Sequence, residues 1–256
     1  MRVLKVVAEG ITTSFRYPHF IQEIHPTFEM PPPATIYGHI SSTLGKWFDP
    51  QGVHFAYHFT FSGKVDDIEH IHICSTKPEN WPNRKRMQEA GWSYPISVGG
   101  SIIPFHRQLL FQPRLTLYIN RPEWEQAFHS PCYPVVLGRS QDLFTYTNIS
   151  LVELEEVPFA YFEHTLLPYS TTQYTNRGYA ILMPRYLDYK NRRRPTFSRY
   201  FIATDRLDSR DHFIWFGEKK TERYWIDPQS PQYKDAYLGL SFLSFVGDED
   251  ETIAIS

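Results

Sequence analysis

Arg2-Val3-Leu4-Lys5-Val6-Val7-Ala8-Glu9 sets Val3, Lys5 and Val7 on one side of an extended chain and Leu4, Val6 and Ala8 on the other. Apolar residues on both sides predict a strand inside a sheet, because successive strand side chains point to opposite faces and only an interior strand buries both. Further on, Pro31-Pro32-Pro33-Ala34-Thr35-Ile36-Tyr37-Gly38 stiffens the chain and excludes helix before it. Ile36, Ile40, Leu44 and Trp47 or Phe48 then recur at helical spacing, which predicts the first helix over residues 34–48. Residues 53–62 and 67–75 read as strands paired with each other around Gly63-Lys64. Residues 77–104 carry Pro, Gly, Trp and the run Arg84-Lys85-Arg86 without clean periodicity, which marks an inserted, projecting segment. Strand signals return over 105–120, followed by a short helix at 121–129 and a strand at 133–137. Without the insertion the order is strand, helix, strand, strand, helix, strand. That is an α+β, ferredoxin-like domain over residues 1–150, the arrangement that also underlies RNA-recognition domains. Residues 151–256, with strand-like runs at 149–157, 179–183 and 237–246, are expected to form a smaller, mainly β region.

Charge narrows the function classes. A formal net charge of -2 over 256 residues excludes a protein that coats nucleic acid through an overall basic surface. Basic character is local instead: between Arg177 and Arg210 nine basic residues, Arg192-Arg193-Arg194 among them, face three acidic ones. Residues 248–251 are all acidic. A solvated basic loop and a solvated acidic end would give the same pattern. Cys74 and Cys132, the two cysteines, lack zinc-type spacing and suit a reducing compartment. No apolar block of signal-peptide type opens the chain, and the apolar run at 237–246 is too short to span a bilayer, so a cytoplasmic protein without a membrane partner is expected.

Familiar catalytic signatures are missing. Tyr37-Gly38 through Gly45-Lys46 fails as a phosphate loop, since its glycines are too far apart and Trp47 follows the lysine. Neither a Gly-x-Ser-x-Gly elbow nor a His-Glu-x-x-His helix occurs. His70, His72 and Cys74 share a strand face, a geometry that rarely closes a tetrahedral metal site, so no metal and no cofactor are expected.

Three segments carry more chemistry. In Ser14-Phe15-Arg16-Tyr17-Pro18-His19-Phe20, cations interleave with aromatics, a combination that grips phosphates and stacks on unpaired bases. An ordinary loop has the same composition. The proline run at 31–33 leads rigidly into a helix whose first turn offers N–H groups to an anion, although helix capping alone explains it. In Val136-Leu137-Gly138-Arg139-Ser140-Gln141-Asp142 a strand ends in a glycine that would let backbone approach a phosphate, followed by a run of donors. A plain strand-to-loop turn reads identically.

Taken in order, residues 15–20, 31–38 and 137–143 resemble the Cas-five family of type I CRISPR systems, a branch of the RAMP superfamily. Arg114-Leu115-Thr116-Leu117-Tyr118 adds to the likeness, which covers residues 1–150 and extends more weakly through Arg177-Gly178-Tyr179 and Met183-Pro184-Arg185. The resemblance implies a ferredoxin-like domain with a projecting thumb, here residues 77–104. It also implies a non-catalytic role in the Cascade surveillance complex, capping the 5′ handle of the guide RNA (crRNA) and helping to position target DNA. Target sequence is then read by base pairing. The residues implied for the handle are Arg16, Tyr17, His19, Tyr37, Gly38, Gly138, Arg139, Ser140 and Gln141; Arg107 joins them from its position on a neighbouring strand. Arg84, Lys85 and Arg86, and likewise Arg192, Arg193 and Arg194, are expected to face nucleic acid or a neighbouring subunit. Expected partners are crRNA, the Cascade backbone subunit, the large subunit and target DNA, with no small-molecule substrate. One branch of the family cuts precursor crRNA without metal; here Tyr37, His106 and Arg107 are the candidates for that chemistry, without the Lys-His pair of the cutting branch. An RNA-binding module outside CRISPR is the remaining alternative, and the paired aromatic signature it needs is not evident around Tyr118 and Tyr133.

Overall fold

A computed structural model of the chain describes residues 1–20, 24–74, 86, 89–91, 100–212 and 223–247. The protein is mostly β with few helices. Strand β1 (Arg2–Gly10) lies inside a five-stranded sheet with β2 (His54–Thr60), β5 (Arg114–Ile119), β6 (Phe144–Glu153) and β10 (Leu243–Ser244), in the order β10-β2-β5-β1-β6. All four pairings are antiparallel, with Leu4 opposite Ile119 on one side and Leu151 on the other. The two faces divide as the alternation predicts. Leu4, Val6 and Ala8 join Phe55, Tyr57, Phe59, Leu115 and Leu117 in the main core, while Val3 packs with Ala56, Tyr118, Val152 and Leu240 on the opposite face.

Helix α1 (Pro33–Leu44) connects β1 to β2 and buries Ile36, Tyr37, His39, Ile40 and Thr43. It is shorter than the expected 34–48, because Gly45 adopts φ 69° and its N–H, with that of Lys46, caps the last carbonyls. A Cβ on Gly45 would also meet Cys132 Sγ at 2.6 Å. Beyond the cap, Phe48 turns into the core and Trp47 outward. Between β5 and β6, a 3-10 turn (Pro122–Trp124) runs into the short helix α2 (Glu125–His129), where a helix was expected.

Three strand expectations are corrected. Residues 53–62 do not pair with 67–75: β2 pairs with β5, and β3 (Gly63–Cys74) pairs with β4 (Gly100–Phe111) as a long ribbon, which the short segments Thr12–Thr13 and Ile24–His25 join beside β4. The predicted strand over 105–120 is two, since Gln112 takes φ 50° and Pro113 has no N–H to donate, so β4 ends and β5 starts in a different sheet. Residues 133–137 are not a strand; a single bridge, Val136 to Leu143, remains there, and the core strand is β6. The projecting segment expected at 77–104 lies largely outside the described residues, which include the β3–β4 ribbon that carries it.

In the second half, β7 (Leu166–Pro168), β8 (Gly178–Asp188) and β9 (Arg194–Ala203) form a three-stranded sheet in the order β7-β9-β8. Its Ile181, Met183, Tyr186, Tyr200 and Ile202, with Phe245, complete the same apolar core that α1 and the first sheet begin. One ion pair joins the halves, and a second set of bonds ties β8 to the segment that carries β10. Lys5 Nζ lies 2.5 Å from Asp227 Oδ2, and the Arg185 guanidinium donates to Ser244 O at 3.0 Å and Gly247 O at 2.7 Å. No helix among the described residues is long and apolar enough to cross a membrane.

Candidate nucleic-acid interface

The loop after β1 and the loop before β6 meet at the root of the β3–β4 ribbon. Thr13 Oγ1 donates to Leu137 O at 2.5 Å, and Gly138 sits at φ 100° so close to this strand that a Cβ would meet Thr13 Oγ1 at 2.3 Å and Ser14 O at 2.9 Å. The glycine therefore serves the approach of two protein segments. Behind it, His39 Nδ1 donates to Val136 O at 2.8 Å, and the Tyr146 hydroxyl lies 3.0 Å from His39 Nε2 and 2.7 Å from Thr43 Oγ1. Burial pushes the His39 imidazole down, so it stays neutral and anchors the loop to α1.

Asp142, almost fully buried, folds the 138–142 turn around itself. It accepts from the Arg139 backbone N–H at 3.0 Å and, in bidentate fashion, from Arg139 Nε at 3.0 Å and Nη2 at 2.7 Å. Arg139 Nη1 also donates to Glu69 Oε1 on β3, whose other oxygen lies 2.7 Å from Arg107 Nε on β4. Arg107 in turn reaches His25 Nδ1 at 3.2 Å. Partial burial opposes ionisation of Glu69, but hydrogen bonds and charge from Arg107, then Arg139, outweigh it and hold its carboxyl below the ordinary range. Asp142 first, then Glu69, hold the Arg139 guanidinium charged. Two guanidiniums and two carboxylates make a closed, neutral chain.

What faces solvent on this edge is therefore a subset of the expected set. Arg16, His19, Gly138, Ser140 and Gln141 are exposed, whereas Arg139 is partly covered and Arg107 is only 9% exposed. Arg16 is fixed by a bridge to Thr27, and Tyr17 stacks on Phe28 at 3.8 Å, half-buried. His19 stands 6.1 Å from Phe197 of β9. Gly38 lies apart, on the outer side of α1, with open space where a Cβ would be.

Tyr37 is not a surface residue. It is 2% exposed, its hydroxyl donates to Phe48 O at 2.7 Å, and its ring packs among Trp47, Phe48, Tyr186 and Phe245. Burial pushes its phenol well up. The anion site expected at the helix start is also filled: all three prolines are buried, and Thr35 and Ile36 N–H donate to Pro32 O. Tyr37, His106 and Arg107 do not converge, since neighbours on a strand point to opposite faces and Tyr37 lies in the core. Arg86 is exposed; Arg84 and Lys85 lie outside the described residues. Arg192, Arg193 and Arg194 are exposed at the β8–β9 turn, where Arg192 and Arg193 take φ 50° and 58° and Arg194 N–H closes onto Asn191 O at 2.9 Å.

Sequence reasoning missed Glu69 and the exposed Trp47. Glu69 reads as an ordinary solvent-facing strand residue, and its partner Arg139 is 70 residues away. The sheet face opposite α1 bears a depression of about 590 Å3, but Lys5, Arg114 and Glu163 in its wall pair with Asp227, Glu9 and Arg206, which leaves little charge for a ligand.

No protein-family model and no curated protein matches the chain. Solved structures similar to it include a chain of a CRISPR RNA-guided surveillance complex, at TM-score 0.48 and 13% identity over 80% of this chain and 90% of that one. A CRISPR protein from Archaeoglobus fulgidus has TM-score 0.43 and 10% identity, with 79% of this chain and 86% of that one covered. A chain of the Type III-B Cmr-beta assembly bound to cognate target RNA and AMPPnP has TM-score 0.42 and 10% identity, with 81% and 86% covered.

Proposed function

We propose that this protein is a non-catalytic subunit of a type I CRISPR surveillance complex that binds and caps the 5′ handle of crRNA and helps to position target DNA. The observation that carries the reading is the contact of the 13–20 and 137–142 segments across Gly138, which gathers Arg16, Ser140 and Gln141 on one exposed edge beside the ribbon. These are the segments on which the family resemblance rests. The strand order β6-β1-β5-β2, antiparallel throughout and with α1 and α2 in the crossovers, supports a ferredoxin-like reading of the first half. The β3–β4 ribbon supports a thumb rooted at that edge. Binding rather than cutting is favoured because Tyr37, with its raised phenol and bonded hydroxyl, is a poor base, and because His106 and Arg107 point away from one another. Partners on this reading are crRNA, the backbone and large subunits, and target DNA, in the cytoplasm.

The test incubates purified protein with labelled precursor crRNA in EDTA and scores gel-shift and cleavage together. A shift without cleavage, weakened in an Arg16→Ala, Gln141→Ala double variant, is the expected outcome, with a logarithmic salt slope of about -0.7 per phosphate neutralised. Metal-independent cleavage lost in His106→Ala would overturn it in favour of a processing nuclease. Absence of handle binding even alongside the backbone subunit would overturn the CRISPR reading altogether.

A further inference from the structure

Between Trp47 and Tyr133, the outer side of α1 holds a depression of about 340 Å3 whose floor is Gly38, Ser41, Ser42 and Gly45. Its two aromatic walls are 48% and 57% exposed, unusual for large rings in one small concavity. Trp47 is held in place from within: its ring runs parallel to Tyr37, 11° apart at 5.9 Å, and to Tyr189, 13° apart at 5.3 Å. One cation lines the opening and others follow Tyr189 along the chain. Lys46 lines it, Lys190 lies over Tyr189 at 5.7 Å, and the exposed Arg192–Arg194 turn follows directly along the chain. Nearby carboxylates are engaged locally, Asp188 with the Lys190 backbone N–H and Asp49 with that of Gln51, each at 3.0 Å. Arg192 and Arg193 hold a backbone conformation that asparagine or glycine adopts more readily, a cost that a purely structural turn would avoid.

We propose that this depression is a nucleobase slot: Trp47 and Tyr133 stack one unstacked base of a single-stranded RNA, whose flanking phosphates are met by Lys46 and the Arg192–Arg194 turn. The slot rests on the RNA-binding reading above and extends it to a second surface. Residues 132–137 run along α1, with Cys132 N–H on Thr43 O and His39 on Val136 O, and so link the slot to the 138–142 turn along the chain. Aromatic walls without a fixed set of donors imply tolerance of base identity, since every base offers a π-face.

The experiment uses the full chain and a single-stranded RNA carrying the repeat-derived handle, with 2-aminopurine introduced at one position at a time. One position is expected to quench on binding, and the quench to vanish in Trp47→Ala and in Tyr133→Ala while affinity falls roughly 5- to 100-fold. Trp47→Phe and Tyr133→Phe are expected to restore both. Lys46→Ala and Arg193→Ala are expected to lower the salt slope without moving the quenched position. Because Trp47 also packs on Tyr37, Tyr133→Ala is the deciding variant: full affinity with unchanged quenching in it would overturn the slot and leave the handle reading standing. Failure of the wild-type protein to bind the RNA would overturn both.

Discussion

Glu69 joins Arg107 and Arg139, and so sets how much positive charge the candidate edge can offer. Neutralising it removes the counter-charge while keeping the side chain's shape. Glu69→Gln is therefore expected to raise RNA affinity and to steepen the salt dependence by about one phosphate equivalent, measured as the logarithmic slope of binding against salt. A different residue governs stability against acid. Burial pushes the His58 imidazole down to about 4, against which its bond to Gly239 O is a lesser influence. The unfolded chain, with an ordinary histidine near 6.5, takes up the proton first, so the contribution is full above about pH 6.5 and is lost as pH falls toward 4. The unfolding free energy measured across that window is expected to fall, by on the order of 3 kcal/mol from this group, and His58→Gln to flatten the fall. His39 adds in the same direction.

At the scale of elements, the 137–142 turn is the piece on which the edge depends. Gly138→Ala would place a methyl against Thr13 Oγ1 in a backbone region that alanine disfavours, with an expected loss of about 1–3 kcal/mol and a parting of the two loops. Its thermal midpoint and its RNA affinity should fall together, whereas Ser140→Ala, on the exposed side of the same turn, should lower affinity alone. The sequence made some elements legible and hid others for physical reasons. Strand β1 was readable because both its faces are buried, and α1 because prolines begin it and apolar residues repeat along it. The ribbon was not, because residues 53–75 carry strand signals throughout and pattern alone does not say which strand pairs with which. Gly138 was recognisable as a glycine with a purpose, but its neighbour proved to be Ser14, a long-range contact that local spacing does not encode. Tyr37 fitted a motif and was read as a surface residue; its burial follows from β8 closing over α1, again a distant event.

Across the whole molecule, the two halves share one core. Tyr186, Met183 and Phe245 cover the apolar side of α1, Asp227 neutralises Lys5 beneath the sheet, and β10 pairs with the far edge of β2. A fragment of residues 1–153 retains β1, β2, β5 and β6 yet is expected to unfold without a cooperative transition, a result that circular dichroism against temperature would read directly. Asp227→Asn in the full chain, which leaves Lys5 charged and deprived of its counter-ion, is expected to cost about 3–5 kcal/mol. The late position of β10 also bears on how the protein is made. A ribosome that adds 5–20 residues each second needs roughly 5–20 s to go from the end of β6 to Ser244, and for that interval the nascent sheet has an open edge and an uncovered apolar face. Until Leu243 and Ser244 emerge, aggregation through that edge competes with folding.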